Sequence, residues 1–342
     1  MAKDEGPAGR LPVHEDDRPV RTPRGGLPPE LQAPLASFGG VEPPSPQWFK
    51  DALAQAPERG FVTSNGSKLE LLTWGERGKP GLLFVHGNSA HADWWTFIAP
   101  FFAGHYRVAA MSMAGMGASD WRDTYALSDF PGDAEACARA AGLHDAGPPI
   151  YVGHSFGGTQ VFNAALRHPE QMRAAVLVDT GFGGQPAAGG AEGRNFLTGD
   201  RATKVYATLP EALARFRLMP PQPAGELYIT DYIARRSLKR APLPDGEGEG
   251  WTWRFDPQMW SKLDQSEIAA LIQNGPPASP VPVAHIWGED SLIVARMRYS
   301  EHSFLPADLV DIEIPASHHH IMIDQPLALV AALRALLAVW PA

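Results

Sequence analysis

Three groups of residues in this chain have types and spacings suited to nucleophilic chemistry. Gly153-His154-Ser155-Phe156-Gly157 fits G-x-S-x-G, directly after the apolar run Ile150–Val152 and directly before a helical pattern that begins near Phe156. A serine on a sharp strand-to-helix turn is lifted above a sheet, where its Oγ can attack a carbonyl, and the flanking glycines keep side chains out of the turn. Such a serine needs a base within hydrogen-bond reach and a carboxylate to orient that base. His318, His319 and His320 are adjacent candidates for the base, and Asp179 and Asp290 are carboxylates that follow apolar runs. Adjacent histidines also suggest a metal ion, but consecutive side chains diverge and do not readily converge on one ion without further ligands. Neither metal nor cofactor is expected.

The elements that must position these residues alternate in type. Phe61–Ser64 and Leu69–Trp74 flank the turn Asn65-Gly66 and read as a hairpin; Leu82–Val85, Arg107–Met111, Ile150–Val152, Ala174–Val178, Val283–Trp287 and Val310–Ile314 read as mostly buried strands. Helical patterns such as Phe156–Arg167 and Leu327–Val339 lie between them, after a first helix at Pro46–Ala56. That alternation predicts a mostly parallel sheet with helices on both faces. About a hundred residues, 181–280, separate two of the strands, and a structureless loop of that length is improbable in a compact domain. A helical cap inserted there is the expectation, with helices over 209–219 and 229–238, an acidic loop at 245–250 and an aromatic stretch at 251–260. The division is then an arm at 1–45, rich in Pro, Gly and charge and expected to be disordered or extended outside the domain, core at 46–180, cap at 181–280 and core again at 281–342.

With 342 residues, 44% hydrophobic and 20% charged, the composition is that of a soluble globular protein with a sizeable core. A formal charge of −9 argues against nucleic acid or an anionic membrane surface as partner and leaves a small molecule as the default; a homodimer stays open. The single cysteine, Cys137, excludes an intrachain disulfide framework, and the first residues lack the apolar run of a secretory signal. The expected location is the cytoplasm, and no run of 18 apolar residues marks a membrane span.

The elbow motif in its strand–turn–helix setting resembles the α/β-hydrolase superfamily, over roughly residues 55–342 with a cap insertion at the place the family has one. The resemblance implies an eight-stranded, mostly parallel sheet and assigns further residues. His86-Gly87-Asn88 at the end of a strand is similar to the family's oxyanion turn, which gives the backbone amides of Asn88 and Phe156 the task of binding the oxyanion. His86 itself is expected to shape the loop, and Ala114–Asp120 resembles a structural Gly-rich loop. Family members carry the catalytic histidine seven residues before a proline, and Pro326 minus seven is His319; His318 and His320 are then shaping neighbours. The acid usually follows the seventh strand in a G-x-x-D turn, but here Gly288-Glu289-Asp290-Ser291 puts serine at that position. One branch of haloalkane dehalogenases carries the acid after the sixth strand instead, and that branch's position falls on Asp179. Asp179 is therefore preferred over Asp290.

Trp94 and Trp95 are candidates to line the acyl pocket, with core packing the better reading for one of them. One of Arg215 and Arg217 could meet a substrate carboxylate bidentately, although a solvated helix face or pairing with the acidic loop at 245–250 accounts for them at least as well. The expectation is a cofactor-independent serine hydrolase of carboxylic esters or lactones. C–C bond hydrolysis of a diketone or ring-cleavage product would use the same residues, and a ligand-binding receptor on the same scaffold is the alternative from another class. Dehalogenase and epoxide hydrolase chemistry are disfavoured, because those members carry aspartate where this chain has Ser155.

Overall fold

The computed structural model describes residues 28–181, 204–264, 266, 278–298 and 309–340. The first strands are β1 (Glu58–Ser64), β2 (Ser67–Trp74), β3 (Gly81–Val85), β4 (Arg107–Met111), β5 (Ile150–His154) and β6 (Ala174–Val178). β7 (Leu238–Pro242) and β8 (Glu249–Trp253) pair only with each other, and β9 (Val283–Gly288) and β10 (Val310–Ile314) complete the main sheet. Its order is β1-β2-β4-β3-β5-β6-β9-β10, antiparallel at β1/β2 and β2/β4 and parallel elsewhere. The β1/β2 hairpin closes at Ser64 opposite Ser67, with Asn65 at φ 45° and Gly66 at φ 74°, the left-handed pair that a two-residue turn between right-twisted strands needs.

Strands β3, β4, β5 and β6 are buried along their whole length, as strands covered on both faces must be. The pleat divides their side chains between two apolar layers. On β3, Leu82 and Phe84 pack with Trp95, Phe97 and the C-terminal helix Pro326–Val339, while Leu83 and Val85 pack with the helices Phe130–Ala141 and Phe156–Arg167. The central strands are thus fixed from both sides, and their C-terminal ends make a rigid rim for a site.

The insertion between β6 and β9 combines helices with a hairpin where the sequence reading places an acidic loop and an aromatic stretch. Its described part holds the helices Leu209–Leu213, Leu227–Arg236 and Met259–Lys262 together with the β7/β8 hairpin. The first helix starts at a capping box between Thr208 and Glu211 but ends at Leu213, short of Met219, with Pro220 and Pro221 ahead of it. The acidic loop is the hairpin's turn, where Gly246 and Gly248 take positive φ. A Cβ on Gly250 would stand 2.4 Å from the Tyr206 carbonyl oxygen, so only glycine lets this strand lie against residue 206.

The arm also needs correction. Residues 1–27 lie outside the described residues, but 28–45 are packed on the molecule: Leu35 is buried in the core and the Gly40 carbonyl accepts a hydrogen bond from Arg235 of the cap. No helix among the described residues is long and apolar enough to cross a membrane.

Candidate active site

Ser155 sits between β5 and the helix Phe156–Arg167 with φ 52° and ψ −120°, a conformation that costs a non-glycine residue about 1–3 kcal/mol and persists only where the surroundings enforce it. Here they do. A Cβ on Gly153 would lie 2.4 Å from the Gly157 carbonyl oxygen, one on Gly157 2.3 Å from the His86 carbonyl oxygen, and one on Gly158 1.8 Å from Thr180 Oγ1. The three glycines let the turn close against β3 and the end of β6, and the Ser155 amide donates to the Val178 carbonyl at 2.9 Å.

His319 lies after β10 and is buried, with Nε2 2.9 Å from Ser155 Oγ and Nδ1 2.7 Å from Asp179 Oδ1. Asp179 directly follows β6, with φ 45°, and is fully buried. Its Oδ2 accepts from the Gly288 amide at 2.8 Å, and its Oδ1 also accepts from Ser291 Oγ at 2.5 Å. Ser155, His319 and Asp179 thus form one hydrogen-bonded chain. Asp290 is exposed, and its amide donates to the Ser317 carbonyl at 2.9 Å, which holds the residue on the loop but away from His319.

The other histidines divide as their bonds dictate. His318 Nδ1 faces Asp324 Oδ2 at 3.1 Å, and this hydrogen bond raises its pKa against the opposing pull of partial burial. His86 bridges the Gly87 carbonyl (2.7 Å) and the Met113 amide (3.0 Å); burial pushes its pKa down to about 3, so it is a neutral loop-shaping group. His154 and His320 flank His319, with ring centroids 4.8 Å from it in each case. Burial holds both well below the ordinary imidazole value, and the neighbouring His319 acts in the same direction. His154 Nε2 donates to the His319 carbonyl at 3.0 Å and so ties the loop after β10 to the nucleophile turn. Nothing in the sequence pointed to His154 except its place inside the motif. The ring nitrogens of His154, His319 and His320 come within 4.8 Å of one another, but both nitrogens of His319 are already engaged by Asp179 and Ser155.

The turn after β3 lies against the nucleophile: a Cβ on Gly87 would be 3.3 Å from Ser155 Cβ. The backbone amides of Asn88 and Phe156 donate to no described residue. Asn88 also lines a cavity of about 690 Å³ between core and cap, as do Trp94, Met116, Phe216, Trp260 and His320. Of the two tryptophans, Trp94 lines the cavity and Trp95 is the one packed in the core. Trp95 is fully buried and stacks on Phe84 at a centroid distance of 4.8 Å, because in a helical turn its neighbour takes the cavity side and leaves it facing the sheet.

Cap and core are also joined by Glu70 of β2, which accepts from Ser112 Oγ (2.7 Å), the Ala118 amide (3.0 Å) and Arg254 of the cap (3.2 Å). No sequence motif marks these residues, since they meet only through the sheet order.

A 2-hydroxy-6-oxo-6-(2'-aminophenyl)hexa-2,4-dienoic acid hydrolase of Metapseudomonas resinovorans is 32% identical over 283 residues, 78% of this chain and 86% of that protein. A non-heme chloroperoxidase of Streptomyces lividans is 32% identical over 162 residues, 44% of this chain and 57% of its own length. For the first curated relatives matched the chain spans only 33% to 57% of their length. The solved E-2-(acetamidomethylene)succinate hydrolase superposes with a TM-score of 0.62 at 19% identity, covering 82% of this chain and 98% of that one, a likeness of fold. The profile of the alpha/beta hydrolase family matches residues 82–333, and the chain, with its eight-stranded sheet and serine elbow, belongs to that family.

Proposed function

We propose that the protein is a serine hydrolase of carboxylic esters or lactones. The observation that carries the reading is the bonded series Ser155 Oγ to His319 Nε2 (2.9 Å) and His319 Nδ1 to Asp179 Oδ1 (2.7 Å). With Nδ1–H donated to Asp179, the Nε2 lone pair faces the serine hydroxyl. As Ser155 Oγ bonds to the substrate carbonyl carbon, its proton passes to His319 Nε2. The carbonyl oxygen becomes an oxyanion, received by the Asn88 and Phe156 amides, and a pair of preorganised donors of this kind stabilises the transition state by roughly 3–4 kcal/mol for each. Collapse breaks the ester C–O bond, and the Nε2 proton goes to the departing alkoxide. Water then attacks the acyl-enzyme with His319 as base, releasing the carboxylic acid and restoring the Ser155 hydroxyl.

Asp179 stabilises the imidazolium formed in both steps. Because His154 and His320 are held neutral by burial, no second positive charge beside His319 opposes it. Labelling by a fluorophosphonate, lost in Ser155→Ala, tests the reading. A chain that binds ligand yet never labels is a receptor, not an enzyme.

A second reading, C–C bond hydrolysis with the same residues, is favoured by the identity over 283 residues to the dienoic acid hydrolase. Turnover of a vinylogous 1,5-diketone against that of p-nitrophenyl butyrate, both measured as kcat/KM, discriminates the two.

A further inference from the structure

The cap wall of the cavity carries charge that the fold does not balance. Lys204, Arg215 and Arg217 all line it, and the carboxylate among the lining residues, Asp256, is already engaged. Asp256 accepts from Tyr125 Oη at 2.9 Å, Lys262 Nζ at 2.8 Å and the Gln258 amide at 2.9 Å. Neither arginine side chain has a hydrogen bond or ion pair with any described residue. In particular, neither reaches Asp245, Glu247 or Glu249 of the acidic turn between β7 and β8. The pairing that would have explained them structurally is therefore absent among the described residues. Both lie past the end of the helix Leu209–Leu213 and are exposed, on the segment whose buried Phe216 and Leu218 line the same cavity.

Lys204 Nζ lies 5.3 Å from the Tyr206 ring centroid, but two arginines with no anionic partner among the described residues are out of character for a chain of net charge −9. Phe216, Leu218, Trp253 and Trp260 line the same cavity, as does Asn88 of the turn that lies against Ser155. A cavity that joins an apolar wall to guanidinium groups matches an acyl chain ending in an anion, and planar guanidinium is the group that takes a carboxylate through two parallel hydrogen bonds.

We propose that the site takes a dicarboxylic half-ester: the scissile carbonyl at Ser155, an apolar acyl body along Trp253 and Trp260, and a free carboxylate at Arg215 and Arg217, with Lys204 adding to the field. This rests on the serine hydrolase reading for the scissile end and on the cap cations for the other.

The test compares mono-p-nitrophenyl esters of succinic, adipic and sebacic acid with p-nitrophenyl butyrate, hexanoate and decanoate, pairs of equal carbon number that differ in the terminal carboxylate. The expected result is a kcat/KM ratio of about tenfold or more in favour of the carboxylated ester for at least one length, falling with added salt as charge attraction must. In Arg215→Gln/Arg217→Gln the ratio collapses toward one through KM, and in Arg215→Glu/Arg217→Glu it inverts. Equal kcat/KM across every pair in the wild type overturns the carboxylate site and leaves the hydrolase reading standing. If no ester is cleaved, calorimetric titration with adipate against hexanamide separates the two ideas. Adipate affinity that is lost in the Gln variant keeps the anion site and ends the hydrolase reading; equal or absent binding of both ends the anion site.

Discussion

Ser291 Oγ donates to Asp179 Oδ1 at 2.5 Å, so the residue at the family's usual acid position is bonded to the carboxylate that faces His319. The same oxygen receives His319 Nδ1, and Gly288 supplies the bond to Oδ2. Asp179 is fully buried, and its three partners come from the end of β9 (Gly288), the turn that follows it (Ser291) and the loop after β10 (His319).

Replacing Asp179 by Asn keeps the shape but reverses the hydrogen bond that selects the His319 tautomer. A loss of about 10⁴-fold in kcat is expected for such a change. Asp290→Asn is expected to stay within about twofold, as surface changes away from the site do. Steady-state kinetics with one p-nitrophenyl ester decides between them, and the opposite ranking would return the acid to the loop after β9.

Ser291→Ala removes a neutral donor to a buried carboxylate without moving the triad. The lost bond should cost about 1.5–3 kcal/mol of carboxylate stabilisation. The apparent pKa on the acidic limb of kcat/KM should shift as a result, whereas a purely structural serine would leave the pH profile in place. Ser291→Thr, which keeps the hydroxyl, should restore the profile.

Burial depresses the pKa of His86 to about 3 and puts those of His154 and His320 well below the usual range. An imidazole titrates near 6.5 in the unfolded chain, so below that pH the unfolded state binds protons that the folded state refuses. Stability must then fall as pH falls, by up to about 1.4 kcal/mol per pH unit for each such group. His318 works oppositely. Its raised pKa contributes stability that is present below 6.5 and lost as pH rises through the folded value, but the ring is partly exposed and the effect smaller. Urea midpoints that stay level from pH 7.5 to 5 would contradict the balance.

Trp94 and Trp95 should separate cleanly. Trp95→Ala opens a hole in the layer shared with Phe84 and should destabilise by about 3–5 kcal/mol in urea unfolding. Trp94→Ala changes the cavity wall, so its main effect is expected in KM.

Legibility from the sequence followed the direction of burial. The strands β3, β4, β5 and β6 were readable because two-sided burial leaves short continuous apolar runs, and Ser155 because glycine is enforced around it by near contacts. The β7/β8 hairpin was not. Its Trp251-Thr252-Trp253 buries Thr252 and leaves the tryptophans partly exposed, the reverse of the usual alternation. Leu35 was lost in a stretch of Pro and Gly because one buried side chain makes no period. The Trp94/Trp95 choice depended on the facing of a single turn, and the Glu70–Arg254 and Ser291–Asp179 contacts join residues more than a hundred positions apart. Pairwise meetings of that kind follow from strand order, which no local pattern encodes.

The strand–helix–strand unit from β5 to β6 carries both Ser155 and Asp179, 24 positions apart (179 − 155) and ahead of the whole insertion. In most arrangements with the acid after a later strand, anything inserted at this point of the chain intervenes between nucleophile and acid. In this chain it intervenes only before His319. The cap can therefore be lengthened, shortened or exchanged while Ser155 and Asp179 keep their spacing, provided that β9 and β10 still return His319 to the rim. A new roof can be fitted over an unaltered pair.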